Sequence, residues 1–152
     1  MSKKFLMLLL VMVGLVSEAQ ANPLDKDGPE LVQLQAMGYE ILPAQEGATG
    51  TVASMNGGKV LISRNGTTLS LAKFFTRTHN KNTTPEDRLK LLEMINKINI
   101  NLTIQVTVTD SVMGCVVYYT GPHNQQVFAN LVRTIEASTL IFDKYPDLKA
   151  LL

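Results

Sequence analysis

Between Leu102 and Thr109 the chain alternates apolar and polar side chains at every step. That period of two is the mark of a strand with one buried face. The return stretch, Val112 to Tyr119, is apolar on both faces. Together they predict a β-hairpin around which the rest of the chain packs. A helix runs into it from Thr84 to Asn99. Thr84 suits the cap, Pro85 the first helical position, and Glu86-Asp87 the positive end of the helix dipole. Leu91, Leu92, Ile95 and Ile98 are expected on one side of it. Asn96 and Asn99 are placed to cap its end or fix the turn into the hairpin.

Upstream, Asn22 to Asp27 reads as a short flexible leader. Asp27-Gly-Pro-Glu30 has the form of a capping box, followed by a helix from Pro29 to Met37 that Gly38 stops. Strands are expected at Tyr39 to Leu42, Thr51 to Met55 and Lys59 to Ser63. Thr67 to Leu71 is a fourth short strand or an extension of the sheet. Asn56-Gly57 and Asn65-Gly66 are hairpin-turn signals. Phe74-Phe75 is an anchor into the core. Downstream, Gly121-Pro122 ends the sheet. His123 to Phe142 is the longest predicted helix, with Val127, Phe128, Leu131, Val132, Ile135 and Phe142 at helical spacing. A last turn from Tyr145 carries Leu148, Leu151 and Leu152. The fold class is therefore α+β: an antiparallel sheet with helices packed on it, in the order α-β-β-β-α-β-β-α.

The hairpin register decides which side chains share a face. A loop of two or four residues puts Cys115, Val117 and Tyr119 with Ile104, Val106 and Val108. A loop of three or five puts Val116 and Tyr118 there instead. In either case apolar side chains of the return strand fall opposite the Thr/Gln face. That face should be covered by another element or another chain.

Composition narrows the setting. Lys3 and Lys4, the apolar run Phe5 to Val16 and the small-x-small Ala19-Gln20-Ala21 form a secretory signal, with cleavage expected after Ala21. Removing 21 of the 152 residues leaves 131, which suits one domain over 22–152. Removing Lys3, Lys4 and Glu18 from 14 basic and 13 acidic residues leaves 12 of each. A neutral domain lacks the basic footprint of nucleic-acid binding. No second segment approaches membrane-spanning length, so no stable membrane insertion is expected after cleavage. The expected location is periplasmic or secreted.

Candidate chemistry is sparse. The single cysteine, Cys115, cannot close an internal disulfide, and a buried thiol is the simplest reading. His79 and His123 have no metal-ligating neighbours in sequence. Gly57-Gly58-Lys59 lacks the spacing of a phosphate loop. Glu86-Asp87 are first-turn acids, and Glu93 and Glu136 stand alone on helices. Thr76 to Thr83 is a polar connection with Arg77, His79 and Lys81. Sequons occur at Asn65, Asn82 and Asn101. These residues supply no catalytic, cofactor-binding or metal site, and no cofactor is expected.

Several phrases resemble the YbjN-like family. They are Met37-Gly38-Tyr39-Glu40, Gly58-Lys-Val-Leu-Ile-Ser63, Leu69-Ser-Leu-Ala-Lys-Phe74, Ile95-Asn96-Lys-Ile-Asn99 and the Gly121-led final helix. That family is labelled as bacterial sensory-transduction regulators, and its fold is similar to type III secretion chaperones. The resemblance implies a small domain, often dimeric, that binds proteins rather than catalysing a reaction. The expected function is an exported, non-enzymatic protein-binding or regulatory domain. Its protein partner is not named by the residues, and a homodimer would form through the return strand or the long helix. The alternative is an exported inhibitor or immunity-type protein that blocks an envelope enzyme through Thr76 to Thr83. A third reading is an enzyme using Cys115 or scattered carboxylates.

Overall fold

Residues 22–44, 46–77, 84–109 and 112–151 are described by a computed structural model. The expected export signal with its expected cleavage site, Gln45, His79, Lys81, the Asn82 sequon, the expected Asp110-Ser111 turn and Leu152 lie outside these residues. In chain order the elements are α1 (Pro29–Ala36), β1 (Glu40–Ile41), β2 (Thr51–Met55), β3 (Gly58–Asn65) and β4 (Thr68–Thr76). Then come α2 (Pro85–Asn101), β5 (Gln105–Val108), β6 (Val112–Thr120) and α3 (Gln125–Glu136). A 3-10 turn (Ala137–Leu140), α4 (Ile141–Lys144) and α5 (Pro146–Leu151) complete the described chain. The class is α+β, with an antiparallel sheet ordered β1-β2-β3-β4-β6-β5.

One strand is added to the expected order. β4 is nine residues long and takes in Phe74-Phe75. The two hairpin turns before it differ. Asn56 and Gly57 both have positive φ, 51° and 81°, as a I′ turn requires. In the second turn the strands end at Asn65 and Thr68, so the central pair is Gly66-Thr67 rather than Asn65-Gly66. Only Gly66 is positive there, at 56°, which is the place a II′ turn gives to glycine.

Contacts group the described residues into two units, those up to 70 with 118–128 and those within 71–117 with those from 129 on. In the first, Leu31, Leu34, Tyr39, Ala53, Val60, Ile62, Leu69 and Phe128 are buried. β2 and β3 pair with Thr51 opposite Ile62 and Met55 opposite Gly58. The leader is not loose. Asn22 pairs with Arg64 through N–H···O bonds of 2.9 and 3.1 Å, and the Leu24 amide donates to the Thr51 hydroxyl at 2.9 Å. Burial of Leu24 explains why a stretch rich in Pro and Asp is held to the sheet. The capping box expected at the start of α1 is also absent. Gly28 is the cap and has no side chain to offer. The Glu30 carboxylate is buried and accepts instead from the Arg64 guanidinium. A charge-assisted pair is the stronger of the two options for that carboxylate.

The second unit holds the predicted hairpin. β5 and β6 pair with Gln105 opposite Val116, Val106 opposite Cys115, and Val108 opposite Met113. The Thr109 amide donates to the Val112 carbonyl at 2.9 Å, so the loop has two residues. Of the alternative registers, this one puts Cys115 and Val117 on the face of Ile104 and Val106. That face is buried, as are Leu91, Ile95 and Ile98 of α2 and Val132 and Ile135 of α3. The predicted long helix is not one α-helix. The path from Gln125 changes to a 3-10 turn at Ala137, where Ser138 and Thr139 weaken the regular winding. Among the described residues the longest α-helix is therefore α2, with 17 residues. In the last helix Leu148 is fully buried.

Candidate interaction surface

Helix α2 begins as its sequence requires. The Thr84 hydroxyl accepts from the Asp87 amide at 3.1 Å, and the Thr84 amide donates to the Asp87 carboxylate at 3.2 Å. Hydrogen bonds from the Thr84 side chain and backbone hold the Asp87 carboxyl below the usual carboxylate value. At the other end the Asn99 side chain meets the neighbouring strand. Its Nδ2 donates to the Val106 carbonyl at 3.0 Å, and its Oδ1 accepts from the Val106 amide at 2.6 Å. Asn99 therefore fixes the turn into the hairpin, one of the two roles its position suggested. Asn96 is exposed.

Between these ends α2 has two apolar faces rather than one. Leu91, Ile95 and Ile98 are buried, and α2 lies against β5 and α5. Leu92, expected among them, is 61% exposed. It belongs to a second row with Leu89 at 57% and Ile100 at 76%. Positions 89, 92, 96 and 100 are three and four apart, the recurrence of a single helix side. The residue between the apolar ones, Asn96, is small and uncharged. Glu93 and Lys97 stand along one margin of this row, four residues apart and both exposed. No other described element carries three large exposed apolar side chains. The same spacing was readable in the sequence, but a search for one core stripe conceals it.

The return strand behaves differently. β6 is an interior strand, with β4 on one side and β5 on the other. Its apolar surplus is covered within the second unit. A methyl group added at Gly114 would sit 3.2 Å from the Phe74 ring and 3.0 Å from the Thr107 hydroxyl, so the ring lies over that glycine. Val112, Met113, Cys115 and Val117 are buried and Val116 half-buried. In the first unit Tyr118 keeps 37% of its surface, and burial of the rest pushes its phenol up. β6 thus offers neither a free edge nor a continuous apolar face.

The candidate chemical groups are dispersed. Cys115 is fully buried. Desolvation pushes its thiol up to about 12, against smaller opposing effects of the Ser138 hydroxyl and the Lys73 ammonium. Lys73 pairs with Glu136 at 3.2 Å. A protonated, inaccessible thiol is a poor nucleophile. His123 lies beside Phe128, with its Nδ1 3.6 Å from the Glu30 carboxylate that Arg64 also holds. Gln33 donates to the Gln125 carbonyl at 2.7 Å in the same unit. These contacts tie α1 to the segment after β6. Among the described residues no three His, Cys, Asp or Glu side chains group as a metal ion would need. Arg77, at the start of the polar connection, donates to the Thr109 carbonyl at 2.7 Å. Among the described residues no helix is long and apolar enough to cross a membrane.

Neither family models nor curated proteins match the chain. Among solved structures it is similar to the crystal structure of YbjN, a proposed transcription regulator from E. coli, with a TM-score of 0.53. The alignment covers 73% of this chain and 83% of that one, at 16% identity. The fold is YbjN-like.

Proposed function

We propose that a YbjN-like fold serves this chain as an exported, non-enzymatic protein-binding or regulatory domain. The observation that carries the reading is the outer row of α2, where Leu89, Leu92 and Ile100 face solvent. An isolated exposed Leu is ordinary, but a row on one helix face is what an amphipathic contact uses. The sparse and scattered chemistry supports the non-enzymatic part, since the one thiol is buried and held protonated. The signal-like residues 1–21 support export. The kinship of fold with YbjN, itself a proposed regulator, favours regulation by contact over catalysis.

The experiment is capture from periplasmic extract with the immobilised protein, beside a variant carrying Leu89→Ser and Ile100→Ser. The expected result is one or more proteins, the chain's own copies included, retained by the native surface and lost from the variant. Retention that is equal on both would reject this face as the contact surface. A fractionation that leaves the protein in the cytoplasm would reject export.

A further inference from the structure

We infer that the folded domain withholds the bond at which its own export signal is removed, so that the chain crosses the membrane unfolded and is cut before its leader joins the sheet. The inference rests on the reading of residues 1–21 as an export signal and adds the order of events. The bond to be cut follows Ala21. Water adds across it, leaving a carboxylate on Ala21 and an ammonium on Asn22. A peptidase that accepts the small residues Ala19 and Ala21 holds its substrate extended and takes backbone donors and acceptors along it. The groups beside the bond must therefore be free.

In the folded domain those that follow the bond are taken. Asn22 supplies the leaving nitrogen, and its N–H donates to the Arg64 carbonyl at 2.9 Å. The Asn22 carbonyl accepts from the Arg64 amide at 3.1 Å. Asn22 lies at the surface, so pairing rather than depth withholds it. Pro23 has no N–H to offer. The Leu24 amide donates to the Thr51 hydroxyl at 2.9 Å, and the Leu24 side chain is buried. The receiving side is firm as well. The β2 ladder stops at Thr51 opposite Ile62, and the bridge from Asn22 takes up β3 again at Arg64. The Arg64 guanidinium is anchored on the buried Glu30 carboxylate. The Gly28 amide donates to the Asp25 carbonyl at 3.0 Å, so a tight turn leads from the leader into α1.

Freeing the leader breaks these bonds to Arg64 and Thr51 and exposes a leucine. Offset by the freedom its residues regain, this makes the open form rarer than the docked one by about tenfold to a hundredfold. A route that carried the chain folded would deliver a precursor slow to be cut. Threading it unfolded presents the bond first and lets the leader dock afterwards. The new ammonium of Asn22 then donates to the same Arg64 carbonyl as a charge-assisted bond, so cutting strengthens the docking.

The test uses the purified precursor, residues 1–152, in detergent with a signal peptidase that cuts after Ala-x-Ala. Three forms are compared. The native precursor is folded. Ile62→Asp places an unpaired charge at a fully buried position and gives an unfolded chain. Leu24→Ser with Thr51→Val loosens the leader and leaves the rest folded. Circular dichroism verifies each state, and mass spectrometry locates the cut. The unfolded precursor is expected to be cut at least about tenfold faster than the native one, and the loosened precursor nearly as fast as the unfolded. A native precursor cut after Ala21 as fast as the unfolded one overturns the inference while the export reading stands. A loosened precursor no faster than the native one overturns it too, because the docked leader is then not what protects the bond. A chain left whole in all three forms refutes the signal, and the inference falls with it.

Discussion

Strand β6 and helix α2 both carry more apolar side chains than one core face can use, yet they dispose of the surplus in opposite ways. β6 lies between two other strands, and Phe74 covers its Gly114 from the neighbouring strand. α2 has strand β5 and helix α5 on its inner side, while Leu89, Leu92 and Ile100 remain in solvent. Apolar content along a segment is thus a poor guide to an interface. What matters is the number of sides from which the fold already covers it. An interior strand is flanked in the sheet and can be covered above and below, whereas a helix on a sheet has one side free.

Substitutions can break this comparison, and the largest effect belongs to the strand. Met113 is completely buried, so Met113→Ala should cost about 2–5 kcal/mol in denaturant unfolding. A loss below that range would mean that β6 is less enclosed than its contacts indicate.

Alkaline pH gives the next effect. A thiol whose folded pKa is raised keeps its proton in the native state after the unfolded chain has lost it. The Cys115 contribution is therefore fully present below the ordinary 9.0 and is lost as pH rises from there towards about 12. The loss across that window is on the order of 3–4 kcal/mol. Unfolding free energies measured against pH, with Cys115→Ala as the control lacking this titration, would show it. A thiol reagent should label the native protein only after it unfolds.

Gly114→Val tests the cover over β6 directly. Its side chain must displace Phe74 or Thr107, at a cost of about 1–3 kcal/mol. Thr84→Ala removes the cap of α2 and should cost about 1 kcal/mol in thermal unfolding. With its partner gone, Asp87 should titrate closer to the ordinary carboxylate value. The holding of Asp87 by Thr84 stabilises the fold above that value and fades as pH falls through the lowered one.

The smallest effect is the most pointed. Ile100→Ser, on the outer row of α2, should change monomer stability by no more than about 0.5 kcal/mol. A large loss would show that the row is core after all and would erase the contrast with β6.

Much of the fold was legible because local rules governed it. The alternation from Leu102 to Thr109, the Asn56-Gly57 turn and the Thr84-Pro85 start each involve neighbours in sequence; the turn and the helix start formed as expected, while the alternating stretch forms a strand over Gln105–Val108 alone. The misreadings arose where a distant partner intervened. Glu30 left its capping box for Arg64, 34 residues away. The leader was drawn in by Arg64 and Thr51. Leu92 fell off the core stripe because the helix turned Leu91 inward, a choice that periodicity alone leaves open when both are apolar. The apolar excess of β6 was visible, but its cover is supplied across strands, by Phe74. The place of β6 between β4 and β5 is a matter of topology that no local pattern states.

The paired bonds from Asn99 to Val106 reach beyond the geometry of a turn. β5 ends the sheet, and the outward amide and carbonyl of a last strand are an invitation to any extended chain. One asparagine side chain occupies both, presenting the donor and acceptor that a seventh strand would bring. The sheet is in effect stoppered at that point. Growth by strand recruitment is barred there, while the outer side of α2 stays open to solvent.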